Sequence, residues 1–176
     1  MLKEFQKFRG WQVLEYFFKT NEKISIRELA RKLKISTMTA KYYCDVLEKA
    51  NLLSSEKGGT AKLFSLKDNR QTKHWRLAYL FQLINESKFE DIIKNPFYLF
   101  GNTINGIWDK ELDIFIIKIN EFDQEKVRKI IEGFGFIPKL VIVEFYELNE
   151  YKQIHKPLIE EVVKGIYIGD EAHSLR

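Results

Sequence analysis

Ser25 and Ser36 stand eleven positions apart, each directly ahead of a helix-forming run, and this spacing restricts the possible folds more than any other feature. Ser25-Ile26-Arg27-Glu28 reads as a capping box: the serine hydroxyl accepts from the Glu28 N–H and Glu28 reaches back. The short helix it opens turns Leu29, Ala30 and Leu33 inward, and Lys34-Ile35 makes a turn. Ser36 then caps a further helix from about Thr37 to Ala50, on which Ala40, Tyr43, Cys44 and Leu47 fall at i, i+3, i+4 and i+7, a core stripe. Two helices this close, each with its own cap, cannot run on as one rod and must cross. Upstream, Trp11, Val13, Leu14, Phe17 and Phe18 recur at helical spacing within roughly residues 4–20, and Thr20 to Lys23 break the pattern. Downstream, Leu52–Glu56 and Ala61–Leu66 read as strands around the turn Lys57-Gly58-Gly59-Thr60.

Three helices followed by a hairpin, with Ser25–Leu53 carrying the type and spacing, resemble a winged helix-turn-helix. The resemblance implies that the third helix enters the major groove of double-stranded DNA and that the hairpin wing lies against phosphates. It points to Thr37, Thr39, Lys41 and Tyr42 on the helix and to Lys57 and Lys62 on the wing. Arg31, with Arg27, Lys32 and Lys34, is placed to reach backbone phosphates. Charge agrees. Residues 1–70 hold 15 Lys and Arg against 8 Asp and Glu, a net +7; residues 71–176 hold 14 against 17, a net −3, which together make the chain's +4. A basic half is a footprint of nucleic-acid binding.

The other half turns on Phe97 to Lys118. An apolar run, Phe97–Phe100, stops at Gly101-Asn102; a polar loop with Gly106 follows, and Glu111-Leu112-Asp113 opens a β-branched run. Residues two apart on a strand point the same way, so Glu111 and Asp113 share a side at the end nearest the glycine loop. Two like charges there are unfavourable without a cation, and Mg2+ is the usual hard one. This order resembles the minimal nucleotidyltransferases of the DNA polymerase β-like superfamily, with Phe100-Gly101-Asn102 against their Phe-Gly-Ser and Glu111-Leu112-Asp113 against their Asp-x-Asp. The resemblance implies that Gly101, Asn102 and Gly106 hold an NTP, that Glu111 and Asp113 are catalytic and bind the metal, and that the strand Leu140–Tyr146 supplies a third carboxylate. Glu144 occupies that place, with Glu147 as competitor. Three departures stand out: Asn102 for serine, Glu111 for aspartate, and Asn105 where an arginine is common.

Between the halves, Lys67 to Thr72 is polar and turn-prone, and His74 to about Lys94 reads as an aromatic-rich helix, in two pieces near Asn85-Glu86-Ser87. Asp123 caps a helix through about Gly133, and Pro157 to Gly165 form another before the strand Ile166–Ile168. The expected fold class is therefore α+β in two domains. A winged helix-turn-helix of three helices and a hairpin wing fills 1–70, a connecting helix 71–94, and a small mixed-sheet α/β nucleotidyltransferase-like domain 95–176. The single cysteine, Cys44, excludes an internal disulfide, no apolar run has the length of a membrane span, and the charged Met1–Phe5 lacks the apolar stretch of a signal peptide, so a cytoplasmic protein is expected.

This domain order is similar to that of archaeal proteins. It implies a DNA-binding transcriptional regulator whose second domain is a degenerate nucleotidyltransferase serving as nucleotide sensor or partner platform. The competing expectation is an active Mg2+-dependent enzyme that moves a nucleotidyl group from an NTP to a protein or other acceptor, as antitoxins of this family do. A homodimer is expected in either case, through the helix at His74–Lys94, because one recognition helix reads only a short half-site.

Overall fold

The computed structural model describes residues 8–20, 22–170 and 173–175. The chain divides into two compact units, Met1–Thr72 and Lys73–Arg176.

In the first unit, α1 (Arg9–Lys19) is followed by the two-residue strand β1 (Ile24–Ser25), α2 (Ile26–Leu33), α3 (Thr37–Lys49), β2 (Leu53–Gly58) and β3 (Ala61–Leu66). The expected first helix began at residue 4; residues 4–7 and the N-terminal stretch Met1–Phe5 lie outside the described residues. Both serine caps form. Ser25 Oγ accepts from Glu28 N at 3.3 Å, and Ser36 Oγ from Thr39 N at 3.0 Å. Lys34 takes a left-handed conformation (φ 52°) at the end of α2, which turns the chain sharply into α3. β2 and β3 pair antiparallel from Leu53↔Leu66 to Gly58↔Ala61, leaving only Gly59-Thr60 at the tip, so the ladder runs two residues further than the sequence suggests. β1 adds to the outer side of β3 through Ile24↔Phe64. Val13, Phe17, Ile24, Leu29, Ala30, Ala40, Cys44, Leu53 and Phe64 make one core. Each buried Phe, Leu, Ile or Val there stabilises the unit by about 1.5–3 kcal/mol relative to exposure. Burial also pushes the Cys44 thiol up to about 12, so it serves as packing and is not reactive.

Only the end of the polar stretch Lys67–Thr72 is helical: α4 (Arg70–Glu86) opens within it, after the irregular residues 67–69. Asn69 Oδ1 accepts from Thr72 N at 2.9 Å while Thr72 Oγ1 accepts from Asn69 N at 3.2 Å, a reciprocal cap. A short α5 (Phe89–Ile93) follows, set off by Lys88 at φ 54°.

The second unit is built on a mixed sheet of order β6-β5-β4-β7. β4 (Phe97–Phe100) pairs antiparallel with β5 (Glu111–Lys118) and with β7 (Ile166–Ile168), while β5 pairs parallel with β6 (Ile137–Glu144). The parallel pair is joined through α6 (Gln124–Gly133), which Asp123 caps by accepting from Lys126 N at 2.9 Å. Tyr98, Phe100, Phe115, Ile117 and Val143 face α7 (Leu148–Ile154) and α8 (Lys156–Val162) through Leu148 and Val162. On the other side Phe97 packs on Phe89, which also meets Phe134. β6 starts three residues earlier than the pattern suggests and ends at Glu144; Phe145–Glu147 form a 3-10 turn. It tolerates Pro138 because it is an edge strand, where a missing N–H leaves no ladder bond unmade.

Candidate nucleic-acid interface and acidic loop site

On α3, Ala40 and Cys44 are fully buried, which fixes the opposite face toward solvent. That face presents Thr37, Lys41 and Tyr42, as expected. Thr39 is half-buried, and its hydroxyl lies 2.8 Å from Ser36 Oγ in the cap, so it is committed to holding the helix start. Two exposed residues of the same face were missed by the sequence reading: Met38, 81% exposed, and Val46, 42% exposed, flank Tyr42 at 63%. Their i, i+4, i+8 spacing was the available signal. Tyr42 stands 5.1 Å from Tyr43, which stands 5.4 Å from Phe8, so a row of rings props it.

The cations divide into two groups. Lys32 bonds Tyr16 Oη and Glu22 Oε2, both at 2.9 Å, which holds its ammonium well above the usual lysine range. On the wing, Lys57 and Lys62 are directly opposed across the hairpin. Like charges so placed repel, and Lys62 is relieved by Glu48 Oε2 at 2.7 Å and by the Phe64 ring at 4.6 Å. Lys57 is exposed near the tip. Arg31 is 79% exposed, with Glu28 only at 4.0 Å. Lys41, Lys57 and Arg31 are thus the cations best presented outward, whereas Lys62 and Lys32 are tied to the unit itself.

In the second unit, the glycine loop and the acids do meet. Gly101 has φ +75°, and a Cβ there would overlap the Asp113 carboxylate. Gly106 has φ +72°, and a Cβ there would stand 2.5 Å from the Lys73 backbone. Between them Thr103–Asn105 form a 3-10 turn in which Asn105 N donates to Asn102 O and the following Gly106 N to Thr103 O, both at 3.0 Å. The Asn102 amide donates to Asp109 Oδ2 at 2.7 Å, and this bond holds the Asp109 carboxyl below the usual range. Asn102 therefore organises the loop's own acid, and the space beside Gly101 is taken by a side chain.

Glu111 and Asp113 share the face that carries Phe115 and Ile117, as alternation requires. Burial pushes the Asp113 carboxyl up, and Lys139 partly offsets this. Glu144 is not with them. The parallel register sets Asp113 against Lys139 and Lys118 against Glu144, so the proposed third carboxylate lies at the far end of the strand pair. There it accepts from Lys118 Nζ at 2.9 Å. Glu147 falls beyond the strand, in the 3-10 turn.

The place beside the two acids is filled by Lys139, whose Nζ lies 2.6 Å from Glu111 Oε2, a contact that raises the lysine above its usual range. Lys139 is thus a built-in ammonium that offsets the Glu111 charge where the resemblance implies a divalent cation. Among the described residues there is no group of three His, Cys, Asp or Glu side chains that could hold a metal ion.

The helix expected to dimerise keeps Tyr79, Leu80 and Ile84 buried; Trp75 is 40% exposed. Among the described residues, no helix is long and apolar enough to cross a membrane.

Residues 11–54 match the family of winged helix-turn-helix DNA-binding domains, which spans α1 to the start of β2. The first unit is thus a winged helix-turn-helix, with the β2–β3 hairpin as its wing. No curated protein and no solved structure matches the chain.

Proposed function

We propose that this protein is a DNA-binding transcriptional regulator that reads duplex DNA through α3 and the wing. The observation that carries this reading is the winged helix-turn-helix match together with a solvent-facing α3 surface that presents Thr37, Lys41 and Tyr42. The net +7 on residues 1–70 supplies the sequence-independent attraction to phosphate. A single recognition helix reads a short half-site, so two copies on a two-fold site are part of the proposal.

The second unit, in this reading, is nucleotidyltransferase-like and serves as a partner platform, since Asp113 fills the space beside Gly101 that a nucleotide sensor would keep open. Support comes from the two glycines bounding the loop after β4 and from the two acids on one face of β5. Transfer from an NTP, whether to a protein toxin or another acceptor, needs carboxylates free to bridge metal ions. Glu111 is held by Lys139, and Glu144 is held by Lys118 at the other end of the sheet. The regulator reading is therefore preferred to the enzyme.

Fluorescence anisotropy of the full-length protein on duplex DNA across a salt series tests the first part. Lys41→Ala should weaken binding and lower the slope of log K against log salt by about 1, whereas Lys152→Ala on α7 should do neither. Absence of binding to any duplex at low salt would sink the reading. Light scattering with and without DNA tests the dimer, and incorporation of labelled NTP into any acceptor would return the enzyme to first place.

A further inference from the structure

The outward face of α3 has an unusual chemistry for a surface meant to meet DNA. Met38, Tyr42 and Val46 form a continuous apolar stripe along it, 81%, 63% and 42% exposed. Exposure of this order at three successive turns is costly in water and calls for an apolar occupant. Met38 lies in the first turn of the helix, where a recognition helix presents side chains to base edges.

We infer that the stripe reads thymine: Met38 and Tyr42 pack against C5-methyl groups in the major groove, so the preferred site is rich in A·T pairs at the positions under the start of α3. This rests on the DNA-binding reading above and adds to it the class of base recognised. The C5-methyl of thymine is the one apolar group that the four base pairs display in the major groove, and apolar side chains are its complement. Tyr42 is held ready by Tyr43 and Phe8, so little ordering is left for binding. Val46 sits one turn beyond Tyr42 and shields the edge of the contact.

Charge names the occupant. The stripe is bordered by Lys41 and Lys49, both exposed, on a unit whose residues 1–70 carry net +7. A polyanion with an apolar patch in its groove fits that border. A second copy of the same basic face does not, and three side chains fall well short of the ~800 Å2 per partner of a stable protein interface.

The test uses the full-length protein and a pair of A·T-rich duplexes identical except that uracil replaces thymine, which removes only the methyl. Each methyl buried against Met38 or Tyr42 contributes about one buried carbon, a factor of about 3–4 in affinity. Two contacts predict that the uracil duplex binds about tenfold more weakly, with an unchanged salt slope. In the double variant Met38→Ala, Tyr42→Ala, both exposed positions, the thymine-to-uracil ratio should fall toward one; this control separates methyl contact from any change in duplex shape. An unchanged melting temperature of the variant establishes that it folds. Equal affinity of the wild type for both duplexes, with normal salt-dependent binding, overturns the thymine inference and leaves the DNA reading intact. Equal loss on both duplexes in the variant overturns it as well. A change of oligomeric state in the variant without loss of DNA affinity assigns the stripe to a protein contact. Absence of binding to either duplex at low salt overturns both readings together.

Discussion

Replacing Gly101 with alanine probes the central claim about the acidic loop, that the space beside this glycine is occupied by Asp113 and not kept open for a phosphate. Two costs are separable. The backbone sits at φ +75°, where a Cβ costs about 1–2 kcal/mol. The new methyl also overlaps the Asp113 carboxylate, which must leave its rotamer at about 0.5–1.5 kcal/mol. The sum is about 1.5–3.5 kcal/mol. For a unit the size of Lys73–Arg176 this lowers the melting temperature by on the order of 10–20 °C. Asp113→Ala alone should cost little, because burial already makes that carboxylate an unwelcome charge. The double variant should therefore recover about 0.5–1.5 kcal/mol relative to additivity, while the φ cost remains. Urea denaturation of the four proteins, followed by tryptophan fluorescence, reads the cycle. A coupling of zero would mean that Asp113 does not cover Gly101 and that the loop is not filled.

Lys139→Asp places a third carboxylate beside Glu111 and Asp113, so a thermal melt of this variant should rise on adding millimolar Mn2+ while the wild type stays unmoved; a metal response in the wild type would show that Lys139 yields to a cation. Asp113→Asn tests the raised carboxyl by pH. A carboxyl raised by folding contributes fully below the ordinary aspartate range and loses that contribution as pH rises through its folded value, so the variant should melt higher than wild type at pH 7 and equally near pH 3. Asn95 donates to Ile93 O and Asn120 O and accepts from Ile119 N and Asn120 N, all within 2.7–2.8 Å, so Asn95→Ala should cost about 2–4 kcal/mol in urea denaturation; a loss under 1 kcal/mol would refute the network's role.

The first unit was legible because its signals are local. Serine caps, a 3.6-residue stripe and a two-glycine turn are each written within a dozen residues, and the chain obeys them at Ser25, Ser36, Ala40 and Gly59. Even there the apolar stripe was overlooked, since Met38 and Val46 look like core until burial assigns the helix its inner face. In the second unit, Glu111 and Asp113 were placed on one side of β5 by alternation alone, which needs no partner strand. Where β6 aligns against β5 is a different kind of fact. It depends on a parallel crossover through α6 and on where the chain re-enters the sheet, with Ile137 N bonding Lys110 O at 2.6 Å. A strand's own pattern cannot state its neighbour's register, so the sequence offered Glu144 as the third acid while the register delivered Lys139. The sequence by itself determined the caps, the turns and the side of β5 that carries its acids. Only the tertiary structure decided that a lysine pairs with Glu111 beside them, because that pairing is made across the sheet by residues with no local relation.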